Sequence, residues 1–230
     1  MSLHKSEAIV LRRQEIRETS LLLTAMTRDL GKIQGLVKGV RGARAAVPWY
    51  LEPLTLQSLV LYERKRSGVA LISTFDLLDA FDPIRRDLAR LSYASLCLDL
   101  VDQMVPWGDP QPFVFDLLLS TLHSLAEGAE LRSAVRYLEA HLLRVSGLLP
   151  ETETLSLSPG ARLSLQQMLQ TSFDRAGRLR LARAVEEELR GVLGALIHRT
   201  LDRELKTERF LIALGWEFPN RAEHEAAQIA

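Results

Sequence analysis

The sequence has little of several residue types, and each shortage excludes a class of protein. Cys97 is the one cysteine among 230 residues, so the chain forms no internal disulfide, which fits a reducing cytoplasm. No apolar stretch approaches the roughly 20 residues that cross a bilayer, and residues 1–7 are polar, so we expect neither membrane insertion nor secretion. Aromatic residues make up only 6% of the chain, while Leu, Ala, Arg and Glu abound. This composition favours helix with a β minority.

Recognisable catalytic and cofactor motifs are missing as well. Gly31-Lys32 is followed by Ile33 instead of Ser or Thr, which excludes a Walker phosphate-binding loop. The five histidines are scattered, and no pair has the i, i+4 spacing of zinc ligands. No nucleophile–base arrangement is present. We therefore expect no enzymatic activity and no cofactor, and a nuclease or other hydrolase is disfavoured.

Charge is unevenly distributed along the chain. The 29 Lys and Arg residues balance 29 Asp and Glu residues, so the formal net charge is +0. Residues 1–78, however, contain 12 Lys/Arg and 7 Asp/Glu, and the remainder has the opposite excess. A positive N-terminal region favours a polyanionic partner such as nucleic acid, although an imbalance of this size is also ordinary in a domain that binds none.

The N-terminal region has the apolar pattern of β-strands. Short apolar runs separated by turn residues predict five strands, over Glu7–Arg12, Ser20–Thr27, Lys32–Lys38, Leu54–Tyr62 and Val69–Phe75. A hairpin turn is expected between the second and third, where glycine at position 31 can take a positive φ. Five short strands in about 75 residues match an OB-fold, a five-stranded barrel that often binds single strands. An SH3-like barrel fits the pattern almost as well.

The apolar period becomes that of helices after Phe75. Asp82-Pro83 predicts an N-cap followed by proline at the first helical position. We expect helices over about 83–105, 113–126, 131–146, 159–171 and 181–205, with a continuation of the last towards residue 214 left open. The prediction is therefore an α+β protein with an OB-fold-like DNA-binding domain (1–78), an all-α domain (79–219) and a poorly ordered tail (220–230).

Lys32 to Arg44 is the most conspicuous cationic segment. Alternation along a strand places Lys32 and Lys38 on one face, and Arg41 and Arg44 follow in a glycine-containing loop without acidic residues. Such a segment suits contacts to a phosphate backbone, although a solvated strand and a mobile turn have the same pattern. With two arginines of the first strand, the candidate DNA-binding residues are Arg12, Arg13, Lys32, Lys38, Arg41 and Arg44.

Several segments, taken in order along most of the chain, are similar to a known family. Glu18–Ile33 and Gly35–Arg41 form the most specific block, and Leu51–Thr55 follows it. Leu77–Ala94 is similar to the first helix of that family, and Leu205–Leu211 to its closing motif. Together these segments resemble the RecO family of recombination mediators.

The resemblance implies an N-terminal OB-fold that contacts single- and double-stranded DNA, and ATP-independent strand annealing. It further implies cooperation with RecR and single-strand-binding protein in loading RecA, and a cytoplasmic, nucleoid-associated protein. Many members carry four zinc-binding cysteines in the helical domain, whereas residues 148–171 here contain none. A tetrahedral thiolate site requires its ligands, so we expect a zinc-free member in which Cys97 is a buried small hydrophobe.

The resemblance also implies a site for the tail of single-strand-binding protein, which is acidic and ends in an aromatic residue. Such a ligand needs an apolar slot and cations. Leu201, Leu205 and Leu211 are candidates for the slot. The candidate cations are Arg199, Arg203, Lys206 and Arg209, of which the first three form one stripe if the helix is continuous. A solvated face in which they pair with Glu204 and Glu208 is the alternative, and a scaffold that binds only proteins is the alternative to DNA binding.

Overall fold

A computed structural model describes residues 2–16, 18–40, 50–62, 68–201 and 205–214, without the side chains of Asp174 and Lys206. The chain forms two compact units. The first comprises Met1–Asp82 together with Val101–Leu119, and the second comprises Pro83–Leu100 together with Ser120–Ala230. The first unit therefore contains a segment of the chain that follows the strands by some twenty residues.

Five strands close into a barrel in the first unit. They are β1 (Leu3–Ile16), β2 (Ser20–Thr27), β3 (Gly31–Val37), β4 (Leu56–Tyr62) and β5 (Val69–Asp79). Their order around the barrel is β1-β2-β3-β5-β4; β3 and β5 are parallel, and every other pair is antiparallel. The five-stranded, OB-fold-like barrel predicted from the sequence is confirmed, in preference to the SH3-like alternative. The strand β5 is longer than predicted, so residues 77–79, expected near a helix start, belong to the sheet.

Alternating apolar residues build the interior of this barrel. Leu21, Leu23 and Ala25 of β2 lie in one buried cluster with residues of the other strands, and all three are at most 1% exposed. The turn from β2 to β3 ends at Gly31, whose φ of +70° favours glycine, as predicted. A Cβ at this position would lie 2.0 Å from the carbonyl oxygen of Asp109, so the backbone approach also requires glycine.

The helices follow the barrel in the chain. They are α1 (Asp82–Arg85), α2 (Leu88–Met104), α3 (Pro112–Ala126), α4 (Leu131–Val145), α5 (Pro159–Gln170), α6 (Phe173–Ala176), α7 (Arg183–Thr200) and α8 (Lys206–Ala213). Gly128 and Gly147 have positive φ just beyond α3 and α4, as expected of helix-terminating glycines. Ser158 caps α5, because its Oγ accepts a hydrogen bond from the Ala161 amide at 3.2 Å.

Two of the predicted helices are interrupted. The one expected over 83–105 is divided into α1 and α2, because the Asp87 carboxylate accepts a hydrogen bond from the Arg90 amide (3.1 Å) and starts a new helix at Leu88. The one expected over 181–205 ends at Thr200, and Leu201 and Leu205 have extended backbones. The glycines inside α7 do not break it.

The second unit has ionic side chains in its interior. Arg136 and Glu139 of α4 and Glu186 of α7 are at most 4% exposed. Arg136 lies 3.0 Å from Glu139 and 3.8 Å from Glu186. Burial raises the pKa of the Glu139 carboxyl to about 7, although the Arg136 charge opposes this shift. Cys97 of α2 is fully buried, as predicted, and burial also raises the pKa of its thiol.

Candidate nucleic-acid interface

The register of β1, β2 and β3 defines an outer face of the barrel. Arg12 lies opposite Thr24, and Thr24 lies opposite Gln34, so these three side chains share a face. It is the face away from the apolar interior, since the interior residues of β2 are the alternate ones. Lys32 belongs to the same face, and Lys38 continues the alternation one residue past the end of β3.

A β-bulge directs Arg12 to this outer face. Val10 pairs with Ala25 and Arg12 pairs with Thr24, so Leu11 is an extra residue in β1. The next residue, Arg13, lies opposite the interior residue Leu23 and so belongs to the other face. The two neighbouring arginines predicted to bind DNA therefore do not share a surface.

Arg13 also has a partner. Its Nη1 lies 3.3 Å from Glu52 Oε1, and its side chain is 25% exposed. The residue is thus partly buried and partly neutralised, and it contributes less to a phosphate-binding surface than the sequence suggested.

Lys32 does not lie on an exposed basic surface. Its side chain is only 4% exposed, and its Nζ lies 3.8 Å from Asp102 Oδ1. The ammonium also donates a hydrogen bond to the Asp102 carbonyl oxygen and lies 4.4 Å from the centre of the Trp107 ring. Asp102 and Trp107 contact its ammonium and leave little room for a DNA backbone, which weakens the prediction that Lys32 contacts phosphate.

Arg12 is held by the same aspartate yet remains accessible. Its Nε lies 3.0 Å from Asp102 Oδ2, and its side chain is 58% exposed while that of Asp102 is 3% exposed. A guanidinium has five N–H donors, so one contact with Asp102 leaves others for a phosphate. Asp102 therefore orients Arg12 and lowers the net charge beside it.

The remaining predicted cations lie at the end of β3 and beyond. Lys38 is exposed and makes no ion pair within the described part of the chain. Arg41 and Arg44 lie outside the described residues, so the contribution of their loop stays a prediction. Of the six candidates, the structure places Arg12 and Lys32 on one face, and Lys38 follows the last residue of β3; Arg12 and Lys38 are exposed.

The acidic residues of the 101–119 segment are what the sequence reasoning missed. This segment contains Asp102, Asp109 and Asp116 but no Lys or Arg. Asp116 lies 2.7 Å from Arg28, whose guanidinium is also 4.6 Å from the centre of the Phe115 ring. The positive charge of residues 1–78 is therefore partly compensated inside the first unit. No local pattern could have revealed this, since about 70 residues separate Lys32 from Asp102.

A cavity opens at one mouth of the barrel in the first unit. Its volume is about 650 Å³. Leu30, Ile33, Leu61 and Ala70 supply apolar lining, and Trp107 is 53% exposed at its side. Barrel mouths are common ligand sites. The sequence reasoning assigned no role to this tryptophan.

The partner stripe predicted in the second unit is not formed as expected. The helix that should carry it ends at Thr200 and resumes at Lys206, so Arg199 and Arg209 lie on different helices. Arg203 and the side chain of Lys206 lie outside the described residues. Leu205, just before α8, and Leu211 of α8 were predicted to line a slot, but they are buried (4% and 0% exposed). Exposed apolar residues of α8 are Phe210 and Ile212 instead.

Residues 148–171 do not fit a zinc site. They contain no cysteine, and polar contacts within the second unit join this stretch to neighbouring helices. Tyr137 donates to the Thr171 carbonyl oxygen (2.9 Å), and the Ser158 hydroxyl donates to Glu188 (2.7 Å). In the described part of the chain, no group of three His, Cys, Asp or Glu residues could hold a metal ion. The zinc-free prediction stays a prediction, to be checked by elemental analysis.

A helix able to cross a membrane was sought among the described residues, and none is long and apolar enough.

Two family models match the chain. The one described as recombination protein O N terminal matches residues 1–81, and the one described as recombination protein O C terminal matches residues 85–154. The first of these ranges contains the whole barrel. The two ranges together cover well over half of the chain.

Several curated proteins that are similar to this chain share one description. The DNA repair protein RecO of Moorella thermoacetica is 27% identical in an alignment of length 248, which covers 93% of this chain and 92% of that protein. That of Anaeromyxobacter sp. (strain K) is 26% identical over 92% of this chain and 96% of its own length. That of Geobacter metallireducens is 36% identical over 144 residues, 62% of this chain and 58% of that protein.

Proposed function

Because this chain belongs to the RecO family of DNA repair proteins, we propose that it is a recombination mediator that binds and anneals DNA without catalysing a reaction. The observation that carries the proposal is the exposed cation pair, Arg12 and Lys38, on the outer face of an OB-fold-like barrel. The segment that follows Val40 adds Arg41 and Arg44 by sequence. Such a surface contacts the phosphate backbone with little sequence preference.

Annealing requires no catalytic residue in this scheme. Two complementary strands repel one another through their phosphates, and cations that neutralise some of these phosphates lower that repulsion. Contacts restricted to the backbone leave the base edges available for pairing. Two strands held in this way can search for their register.

The protein partners proposed are RecR and the tail of single-strand-binding protein, with loading of RecA as the outcome. Exposed Arg209, Phe210 and Ile212 of α8 provide a cation and apolar side chains for an acidic tail with a terminal aromatic residue. This proposal replaces the predicted leucine slot with the exposed side of α8 and keeps Arg199, Arg203, Lys206 and Arg209 as candidate cations. A tail peptide titrated against wild type and Arg203→Glu/Lys206→Glu by fluorescence anisotropy tests it; equal affinities would remove these two cations from the site.

The decisive experiment measures how DNA binding depends on salt. About four to five phosphate contacts predict a log–log slope near −3 on single strands. Replacing Lys38, Arg41 and Arg44 together by Ala should flatten this slope by about two units and weaken binding equally for all sequences. Titrations of labelled single strands at several salt concentrations, with and without the complementary strand, give both quantities.

A matched control comes from the second unit. Arg178, Arg180 and Arg183 are exposed there, and their replacement by Ala removes the same number of charges. An unchanged slope in this control confines the effect to the barrel surface, whereas equal flattening in both variants would place the interface elsewhere. If wild type bound no DNA at low salt, a scaffold that binds only proteins would replace the present proposal.

A further inference from the structure

We propose that Trp107 is a stacking platform for one nucleobase of a bound single strand, at the mouth of the barrel cavity. The proposal rests on the DNA binding proposed above. It adds a residue that contacts a base of the strand instead of a phosphate. Trp107 belongs to the turn between α2 and α3.

The exposure of Trp107 is the first observation. Its side chain is 53% exposed although aromatic residues make up only 6% of the chain. Trp107 lies against a cavity of about 650 Å³, within the range of volumes that bind small ligands. Exposed aromatic rings beside such a cavity are suited to base stacking, because every base presents a flat π-face.

The turn that carries Trp107 is fixed in place. The Gly108 amide donates a hydrogen bond to the Lys32 carbonyl oxygen (2.9 Å), and Lys32 and Trp107 form a β-bridge. The backbone of Asp109 packs so closely on Gly31 that no side chain fits between them. Prolines at positions 106, 110 and 112 restrict the same stretch. A platform held in this way loses little conformational entropy when a base binds.

One face of the indole ring is already occupied. The Lys32 ammonium lies 4.4 Å from the ring centre, and Lys32 is buried. A base that stacks on this ring would therefore use the face opposite Lys32. A cation on one face and a base on the other give a three-layer stack in which each neighbouring pair is favourable.

The surroundings of the ring favour a nucleobase over a purely apolar ligand. Leu30, Ile33 and Leu61 offer apolar lining for the faces of a base, while His4 and Gln34 add groups that form hydrogen bonds. A series of contacts also connects the Trp107 ring with Arg12, a cation proposed to bind phosphate. Trp107 contacts Lys32, and both Lys32 and the exposed Arg12 are paired with Asp102. Trp107 and Arg12 thus belong to one network of contacts, in which a base would bind at the ring and the backbone of the same strand at the cation.

The test compares strands with and without bases. The anisotropy of a labelled oligothymidine and of an abasic oligonucleotide of equal length and charge is measured with wild type, Trp107→Ala and Trp107→Phe. We expect Trp107→Ala to weaken oligothymidine binding about tenfold. It should leave abasic binding unchanged, and Trp107→Phe should recover most of the loss. Phe113→Ala, which alters another exposed aromatic residue of the first unit outside the cavity lining, should change neither.

A second measurement covers the case in which Trp107→Ala fails to fold. In a chain with Trp49→Phe and Trp216→Phe, Trp107 is the sole tryptophan. Its fluorescence should be quenched by oligothymidine and not by the abasic strand. Equal effects of Trp107→Ala on both strands, or no quenching while oligothymidine binds, would overturn the stacking proposal and leave DNA binding intact. A wild type that binds neither strand would remove both proposals.

Discussion

The two compact units of this protein differ in what fills their interiors. The interior of the barrel is a cluster of aliphatic side chains, including Leu21, Leu59 and Ile72, and its ionic groups lie outside that cluster. The second unit instead buries Arg136 and Glu139 among its helices. The interior of the barrel thus depends on apolar burial, while the helical unit, which also has a large apolar core, contains charges that must remain paired.

The difference matters because the two kinds of interior fail in different ways. An aliphatic core loses stability in proportion to the volume removed from it. A buried ion pair responds more sharply, since removing one partner leaves the other charge without compensation in a poorly polarisable medium. The helical unit should therefore be the more sensitive of the two to single charge changes and to pH.

The largest effect is expected for Arg136→Ala. This change leaves the carboxylates of Glu139 and Glu186 buried without their shared guanidinium, and it should lower the free energy of unfolding by about 3–5 kcal/mol. Urea denaturation followed by circular dichroism measures the loss. The double variant Arg136→Met/Glu139→Leu should recover much of it, because both members of the pair become apolar. If the double variant were less stable than Arg136→Ala, the ionic interior would not be the cause.

A smaller loss of stability is expected for Asp102→Ala in the first unit, and the same change should strengthen DNA binding. The Lys32 ammonium keeps its contact with the Trp107 ring, so the cost should be only about 1–3 kcal/mol. The same change removes the carboxylate that partly neutralises Arg12, so Arg12 should neutralise phosphate more fully and the salt slope for single-stranded DNA should steepen, by at most about 0.7. Asp109→Ala, an exposed position in the same segment, is the control and should alter neither quantity. If Asp102→Ala lowered the free energy of unfolding as much as Arg136→Ala, the two units would not differ in their sensitivity to the loss of one charge.

The last effect concerns pH and Glu139. Its pKa is about 7 in the folded chain, against an ordinary value of 4.5. The folded state thus holds this proton where the unfolded state has lost it, so the contribution to stability is complete below about pH 4.5 and is lost as pH rises to about 7. Glu139→Gln should flatten the fall in unfolding free energy across this window. Glu127→Gln, at an exposed position of the same unit, should follow wild type; parallel curves for all three would assign the pH dependence to another group.

Local patterns in the sequence predicted much of this fold. The bounds of β2 are as predicted, because its apolar residues alternate between clear turn signals. The turn at Gly31 and the ends of α3 and α4 were also predicted, since glycine and proline act through the backbone of their own segment. The break at Asp87 was missed because the apolar period continues across it, although its hydrogen bond to the Arg90 amide is a typical N-cap.

The candidate site was less predictable than the fold. Strand alternation put Lys32 on the correct face, but only the chain at 101–119 decides that its ammonium is buried against Asp102. The bulge at Leu11 likewise decides which of two adjacent arginines reaches the outer face. Both outcomes depend on contacts between residues far apart in the chain. The periodicity of one short segment does not contain that information.

The bridge between Lys32 and Trp107 has a further consequence, for the behaviour of the protein at high concentration. Along β3, only residues 34–37 pair with β5. At Lys32 the pairing partner is instead Trp107, in the turn after α2. This turn blocks a backbone edge that a strand from another molecule could otherwise extend. We therefore expect the turn at Trp107 to protect this part of the barrel from edge-to-edge association between molecules.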